Sequence, residues 1–195
     1  MNNSSQFLRI SRENYAVLLH ITAPDHTNKL SLQLIVALSE KIEQLRLDAE
    51  SGECRGLVIT GNDRFFSAGA DLNEIARLTG PEALAFSRAG QRLTSAIARF
   101  PVPVIAAIRG YCMGGGMDLA LACDSRIATP DAVFGHRGAS LGLITGWGGT
   151  QRLPRLIGKP RALQMFLLAE MVKADDALAA GLIGEIHSDP VTRAI

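Results

Sequence analysis

Three consecutive glycines, Gly114, Gly115 and Gly116, constrain the fold of this chain more than any other feature. Residues 102–108 before them are apolar and rich in β-branched side chains, which predicts a buried strand. Residues 117–122 after them are good helix formers. A strand, a glycine turn and a helix start can present bare backbone N–H groups to a ligand. The residues alone leave open a plain tight turn packed against a neighbouring element.

A second stretch of the same kind occurs earlier in the chain. Residues 57–60 predict a short buried strand, and residues 61–63 (Gly-Asn-Asp) predict a turn. Small residues and a helix start follow at residues 67–72. Two strand ends built in this way can aim two backbone amides at one point, which is how an oxyanion hole is constructed.

Three motifs resemble the crotonase (enoyl-CoA hydratase/isomerase) superfamily. They are residues 66–72, 104–116 and 146–153, and the resemblance extends over about residues 15–186. It implies an α/β fold, a right-handed spiral of ββα turns, as a single domain over residues 1–195. Since members of the family continue with further helices, we expect the C-terminal helical part to be absent or truncated. The motifs are specific for the family and much less specific for the reaction.

The resemblance implies an oxyanion hole formed by the backbone amides of Ala70 and Gly115, and a catalytic acid or base at Asp118. Asp118 is three residues beyond Gly115, so both lie on nearly the same helix face. Helical side chains lean toward the N-terminus, which would bring this carboxylate toward the hole. Hydratases of the family carry Glu here. The alternative for Asp118 is an acidic residue in a first helical turn that only complements the helix dipole.

The sequence departs from the family pattern at Gly138. The hydratases' second carboxylate falls on this glycine, which has no proton to give, and His136 and Arg137 flank the gap. Histidine titrates in the useful range, but a position two residues away need not face the substrate. Trp147 replaces a residue that is usually small, which indicates a reshaped acyl pocket or ordinary core filling.

The remaining site assignments come from the resemblance and concern the coenzyme A thioester. His26 lies in a loop that touches coenzyme A in the family, although a lone surface histidine is often only solvated. Asp71 and Glu74 also resemble a capping pair. The substrate-binding residues expected in this way are His26, Ala68, Gly69, Asp71, Leu72, Gly114, Gly138, Leu141 and Trp147.

Composition limits the class of protein. The 195 residues are 47% hydrophobic, which is enough for one domain with a sizeable core. Lys and Arg number 20 against 19 Asp and Glu, with no basic block, so no nucleic-acid partner is expected. An odd number of cysteines, three, predicts reduced thiols. No secretory signal or membrane-length apolar run is evident, so we expect a cytoplasmic protein without a membrane partner.

Secondary structure follows from periodicity, caps and turn residues. Ser31 is expected to cap a helix whose apolar stripe includes Leu34, Leu38, Ile42 and Leu45. Pro81 is expected near the first turn of another helix. The predicted strands are 15–21, 57–60, 102–108, 124–128 and 183–186, and the predicted helices are 31–47, 71–78, 79–100 (opened by Thr79-Gly80-Pro81), 148–156, 160–168 and 174–180.

The expected function is acyl-CoA chemistry in fatty acid metabolism, with hydration of 2-enoyl-CoA as the leading reaction. Alternatives are double-bond isomerisation, which needs only one carboxylate, and a catalytically weak paralogue that binds acyl-CoA, which Gly138 favours. No metal and no cofactor are expected, since coenzyme A enters as part of the substrate. The resemblance further implies a homotrimer or a dimer of trimers.

Overall fold

A computed structural model describes residues 6–195, in which strands and helices alternate. The strands are β1 (Leu8–Glu13), β2 (Ala16–Ile21), β3 (Lys29–Leu30), β4 (Gly56–Thr60), β5 (Phe65–Ser67), β6 (Gly69–Ala70), β7 (Val104–Ile108), β8 (Tyr111–Met113), β9 (Ser125–Ala128), β10 (Val133–Gly135), β11 (Met171–Lys173) and β12 (Glu185–Ile186). The helices are α1 (Leu32–Glu50), α2 (Leu72–Ile75), α3 (Gly80–Ala98), α4 (Gly115–Ala122), α5 (Gly149–Ile157), α6 (Lys159–Leu167), α7 (Ala174–Ala179) and α8 (Pro190–Ala194). Arg137–Leu141 is a 3-10 helix.

Two larger sheets and one strand pair organise the molecule. The six-stranded sheet has the order β1-β2-β4-β7-β9-β12, and only β1 and β2 are antiparallel. The four-stranded sheet has the order β11-β10-β8-β5, and β10 and β11 are its antiparallel pair. β3 and β6 pair in parallel.

The chain moves from one sheet to the other and then through a helix. β4 joins the six-stranded sheet, β5 joins the four-stranded sheet, and helices α2 and α3 follow. The same succession of two strands, one in each sheet, and a helix repeats with β7, β8 and α4. The strands β9 and β10 again enter the two sheets in this order. Parallel neighbours need such crossovers, because a short hairpin can join only antiparallel strands. The predicted α/β fold built from ββα turns is confirmed.

Helix starts are fixed by the predicted caps. The Ser31 hydroxyl accepts a hydrogen bond from Leu34 N at 3.2 Å, and the predicted apolar stripe of α1 is buried. Thr79 and Glu82 form a reciprocal capping box at the start of α3. The two helices pack against each other, so their apolar faces contribute to one core.

Glu74 does not form the predicted capping pair with Asp71. The Asp71 carboxylate does cap α2, accepting from Asn73 N at 2.9 Å. Glu74 instead accepts from Leu32 N at 2.9 Å, at the start of α1. Its carboxylate satisfies an N–H donor of a different helix, a contact that local sequence does not reveal. α2 also ends earlier than predicted, at Ile75.

Arg126 ties β9 to the C-terminal end of α4 from inside the core. Its guanidinium donates to the carbonyl oxygens of Leu182 at 2.7 Å, Cys123 at 2.9 Å and Ala120 at 3.3 Å. Burial lowers the pKa of Arg126. The bond to Cys123 satisfies the carbonyl at the C-cap of α4, so Arg126 helps to fix the position of α4.

The three cysteines, Cys54, Cys112 and Cys123, are free and buried, as predicted. Among residues 6–195, no helix is long and apolar enough to span a bilayer.

Candidate active site

The two glycine-containing turns meet at the start of α4. Gly69 has φ +94, and a Cβ there would lie 2.7 Å from the Met113 carbonyl oxygen and 3.3 Å from Gly115 N. A side chain at Gly69 would therefore separate β6 from α4. Gly114 is the N-cap of α4, with φ +51. The close approach brings the backbone of Ala70 and that of Gly115 to one wall.

A cavity of about 390 Å³ opens beside this wall. Its volume lies within the range of small-molecule sites. The polar side chains in the lining are those of Ser87, Asp118, His136, Arg137 and Thr145, and His136 and Thr145 both lie next to Asp118. The rest is largely apolar and includes Leu72, Ile75, Leu78, Phe86, Met113 and Leu141. This composition suits an apolar chain with a reactive group at one end.

Trp147 packs into space that two glycines leave free. A Cβ at Gly90 or at Gly115 would lie 2.3 Å from atoms of its indole ring. The centroid of this ring is also 5.4 Å from the centroid of the Phe86 ring. The Trp147 carbonyl accepts from the Thr94 hydroxyl at 2.8 Å. The absent side chain at Gly115 therefore makes room for Trp147.

Asp118 lies one turn into α4, with only 1% of its surface exposed. The Thr145 hydroxyl donates a hydrogen bond to its Oδ2. Its Oδ1 has no hydrogen-bond partner among the described residues and lies 3.5 Å from His136 Nε2. A Cβ at Gly149 would lie 2.1 Å from this Oδ1, so α5 begins directly against the carboxylate. Thr145 therefore holds Oδ2, whereas no donor lies within hydrogen-bond geometry of Oδ1 among the described residues.

Burial raises the pKa of Asp118 from 3.8 to about 7. Desolvation is the largest cause, because it penalises the charged carboxylate. The Thr145 hydroxyl and the backbone N–H groups of Trp147 and Gly149 lower the pKa, as does the charge of Arg152. A group with this pKa is present in both forms near neutral pH, which suits proton transfer.

His136 lies at the end of β10 and at the N-cap of the 3-10 helix. It is 3% exposed, and its ring packs against Phe166 with centroids 5.0 Å apart. Burial lowers the pKa of His136 to about 4, so its imidazole is neutral at pH 7. Its Nε2 has no hydrogen-bond partner in the described part of the chain.

Gly138 lines the cavity but has no room for a side chain. A Cβ there would lie 2.6 Å from the carbonyl oxygen of Leu143. Leu143 N also donates to the Gly138 carbonyl at 2.9 Å, which holds the two residues together. A carboxylate could return to this position only if the segment moved, so Gly138→Glu is not a simple restoration of the family pattern.

Most of the predicted site residues lie on this cavity. Those in its lining are Ala68, Gly69, Ala70, Leu72, Gly114, Gly115, Asp118, Gly138, Leu141 and Trp147. His26 and Asp71 are not part of the lining. His26 is exposed with φ +58, and its carbonyl accepts from the Asn62 side chain at 2.9 Å. Their contacts with coenzyme A stay predictions.

Sequence reasoning did not identify Thr145 or Gly149 as parts of the site. Both contact Asp118 across a long separation in sequence, and although Gly149 belongs to the motif at residues 146–153, nothing in that motif indicates this contact. The glycine pair Gly148 and Gly149 at the start of α5 was a partial signal, because it predicts close packing of that helix start. Among residues 6–195, no group of three or more His, Cys, Asp or Glu side chains could hold a metal ion.

Comparisons with known proteins agree with this architecture. The family model of enoyl-CoA hydratase/isomerase matches residues 12–192. Among solved structures, DspI of Pseudomonas aeruginosa is 36% identical with a TM-score of 0.91, over 99% of this chain and 78% of that one. An enoyl-CoA hydratase of Bacillus anthracis is 34% identical with a TM-score of 0.88, over 93% and 70%. One from Thermoplasma volcanium is 32% identical with a TM-score of 0.92, over 99% and 76%.

Proposed function

Because the chain belongs to the enoyl-CoA hydratase/isomerase family of the crotonase superfamily, we propose that it binds an acyl-CoA thioester in the cavity beside β6 and α4. The apolar lining would hold the acyl chain, and the thioester would lie at the wall formed by Ala70 and Gly115. Coenzyme A enters as part of the substrate, and the chemistry proposed here uses only side chains and backbone of this chain.

The backbone amides of Ala70 and Gly115 are proposed to polarise the thioester carbonyl. The contact between Gly69 and the start of α4 supports this role, since it brings the two backbones together. Gly115 is the first residue of α4, where unpaired N–H groups and the helix dipole favour negative charge. Such donors stabilise the charge that develops on a carbonyl oxygen when an enolate forms.

Asp118 is the proposed acid or base, and its environment is the observation that carries the proposal. A carboxylate with one free oxygen and a pKa near 7 lines the same cavity as the amide wall. In the hydration of a 2-enoyl-CoA, the oxygen of water bonds to the β carbon and a proton bonds to the α carbon. Protonated Asp118 can deliver that proton and recover one from the water.

Double-bond isomerisation is the second candidate, and Gly138 favours it. This reaction removes a proton from one carbon and returns it to another, so one carboxylate can carry out both steps. Asp118 is the only carboxylate among the described residues that line the cavity. Hydration by two carboxylates is not available, since a side chain at position 138 would meet the Leu143 carbonyl.

The test is turnover of 2-enoyl-CoA and 3-enoyl-CoA thioesters of short and medium chain length. Asp118→Asn should lower kcat at least ~100-fold and change KM much less, because the amide nearly keeps the volume but cannot exchange the proton. Asp131→Asn, at an exposed carboxylate remote from the cavity lining, is the matched control and should retain wild-type kcat. Binding of acyl-CoA without turnover of either substrate would favour the catalytically weak paralogue.

A homotrimer or a dimer of trimers is proposed as the assembly. Exposed apolar side chains on and after α6 support association, since monomers seldom expose such patches. They are Leu163, Leu167, Leu168 and Met171, with 42%, 67%, 73% and 50% of their surface exposed. Light scattering should give three or six times the chain mass of 20.8 kDa, and a monodisperse monomer would contradict the proposal.

A further inference from the structure

We propose that His136 is a second catalytic residue, which exchanges protons with the reacting water and with Asp118 at a site where Gly138 supplies no carboxylate. This role rests on the proposed hydration of a 2-enoyl-CoA. In hydratases of the family a second carboxylate faces the substrate, and we assign its proton transfer here to the buried side chain of His136.

The geometry of the two free atoms is the first argument. Asp118 Oδ1 and His136 Nε2 are buried, and neither has a hydrogen-bond partner within residues 6–195. They are 3.5 Å apart, and both residues line the cavity. Buried polar atoms almost always have a hydrogen-bond partner, so two unpartnered ones that face each other indicate a function other than structural support. Catalytic hydrogen bonds are often long without substrate and tighten when substrate binds.

The surroundings hold the pair in this position. His136 is fixed between the end of β10 and the 3-10 helix, with Phe166 against its ring. A Cβ at Gly149 would lie 2.1 Å from Asp118 Oδ1 and 3.2 Å from His136 Nε2. The missing side chain at Gly149 therefore keeps open the space that both atoms occupy. Thr145 holds the other carboxylate oxygen, which leaves Oδ1 for His136.

Among the described residues, no carboxylate other than Asp118 and no imidazole other than His136 lines the cavity. Gly138 cannot carry a carboxylate, because its Cβ position is blocked by the Leu143 carbonyl. Arg137 lines the cavity too, but a guanidinium does not release its proton in proteins. A neutral imidazole carries a proton on one nitrogen and a lone pair on the other, so it can accept and return a proton.

Burial in this environment keeps His136 neutral. Arg152 on α5 is the cation whose charge acts on Asp118. Cys112 on β8 stays a neutral thiol, because burial raises its pKa well above the usual value. α3, which packs against α4, has buried apolar residues such as Ala89 and Leu93, and α6 places Phe166 against the His136 ring. With the pKa of Asp118 at about 7 and that of His136 at about 4, protonated Asp118 and neutral His136 coexist below neutral pH.

These protonation states suit the two proton transfers of hydration. Protonated Asp118 gives its proton to the α carbon, while His136 Nε2 takes a proton from water as the water oxygen bonds to the β carbon. The step leaves a carboxylate and an imidazolium facing each other. Return of that proton from Nε2 to Oδ1 restores both groups, so the net change is addition of one water across the double bond. The facing atoms provide a direct path for the return.

The first experiment compares His136→Gln with the wild-type enzyme on a 2-enoyl-CoA. The kcat should fall at least ~100-fold with KM changed much less, since the amide can occupy the space but cannot act as a base. The acidic limb of the kcat–pH profile, which reports neutral His136, should disappear while the alkaline limb due to Asp118 remains. His187→Gln changes a histidine outside the cavity lining and should keep both limbs.

Two further measurements exclude a merely structural role. His136→Ala leaves a space beside the cavity, and added imidazole should restore part of its kcat. In the folded wild-type protein, the ring ¹⁵N shifts of His136 should titrate differently after Asp118→Asn, because that change removes the facing acid. Wild-type kcat and pH profile in His136→Gln would overturn the role of His136 and leave Asp118 as the acid or base. Absence of hydration by the wild-type enzyme would overturn the proposed hydration and this role together.

Discussion

Replacing Asp118 by asparagine should change how the free energy of unfolding depends on pH. The buried carboxyl group has a folded-state pKa of about 7, against 3.8 without the protein environment, and desolvation is the main cause. The folded state therefore favours the neutral form. The resulting stabilisation is fully present below the unfolded-state pKa and is lost as the pH rises through the folded-state value.

The magnitude follows from the interval between the two values. One pKa unit corresponds to about 1.36 kcal/mol, and a change from pH 5 to pH 7 crosses about two units, so the wild-type protein should lose about 3 kcal/mol relative to Asp118→Asn. Asparagine has nearly the same volume, and its carbonyl oxygen can still accept from Thr145. Other titrating groups are common to both proteins, so the difference between them isolates Asp118.

The assay is urea-induced unfolding of both proteins at several pH values between about 5 and 8. As the pH rises, the unfolding free energy of the wild-type protein should fall relative to that of Asp118→Asn. This difference should stop changing above about pH 7. Asp131→Asn removes an exposed carboxylate and should show no such trend. Parallel curves for wild type and Asp118→Asn would refute the burial-driven pKa shift on which the proposed chemistry depends.

The remaining predictions concern packing and the support of the site. Gly115→Val should lower the Tm by several degrees, because its Cβ would lie 2.3 Å from the Trp147 ring, and adding Trp147→Ala should cost less than the two single changes summed. Additive losses in thermal unfolding would contradict this contact. Arg126→Met should lower the free energy of unfolding by about 3 kcal/mol, because it leaves buried carbonyls without donors; an unchanged urea midpoint would argue against it. Thr145→Val should raise the pKa of Asp118 further. In the same urea series, the pH at which the unfolding free energy stops falling should then be higher, and an unchanged pH would contradict that hydrogen bond.

Strands, helices and caps were largely predictable, because they depend on local pattern. Ser31 and Thr79 begin α1 and α3 as their sequences indicate, and the central strand ends at Ile108 as predicted. β1 was missed because its sequence, LRISRE, is mostly polar, and only pairing with β2 makes it a strand. Propensity does not record such tertiary pairing.

The site was predictable only where a glycine or an acid belongs to a recognisable motif. Gly115 and Asp118 were singled out in this way and both line the cavity, but the sequence did not reveal that Trp147, which is distant along the chain, occupies the space beside Gly115. The short distance between His136 Nε2 and Asp118 Oδ1 also arises from the fold, which brings the end of β10 close to α4. A sequence spacing of eighteen residues carries no signal for it. Likewise, nothing local indicates that the Leu143 carbonyl blocks position 138.

The most direct test of the account is a crystal structure with an unreactive acyl-CoA thioester analogue bound. The account predicts that the thioester oxygen lies within about 2.7–3.1 Å of the backbone nitrogens of both Ala70 and Gly115. It further predicts that the α carbon faces Asp118 and that the acyl chain follows the apolar lining. A thioester bound elsewhere, or one whose oxygen reaches neither amide, would contradict the central claim.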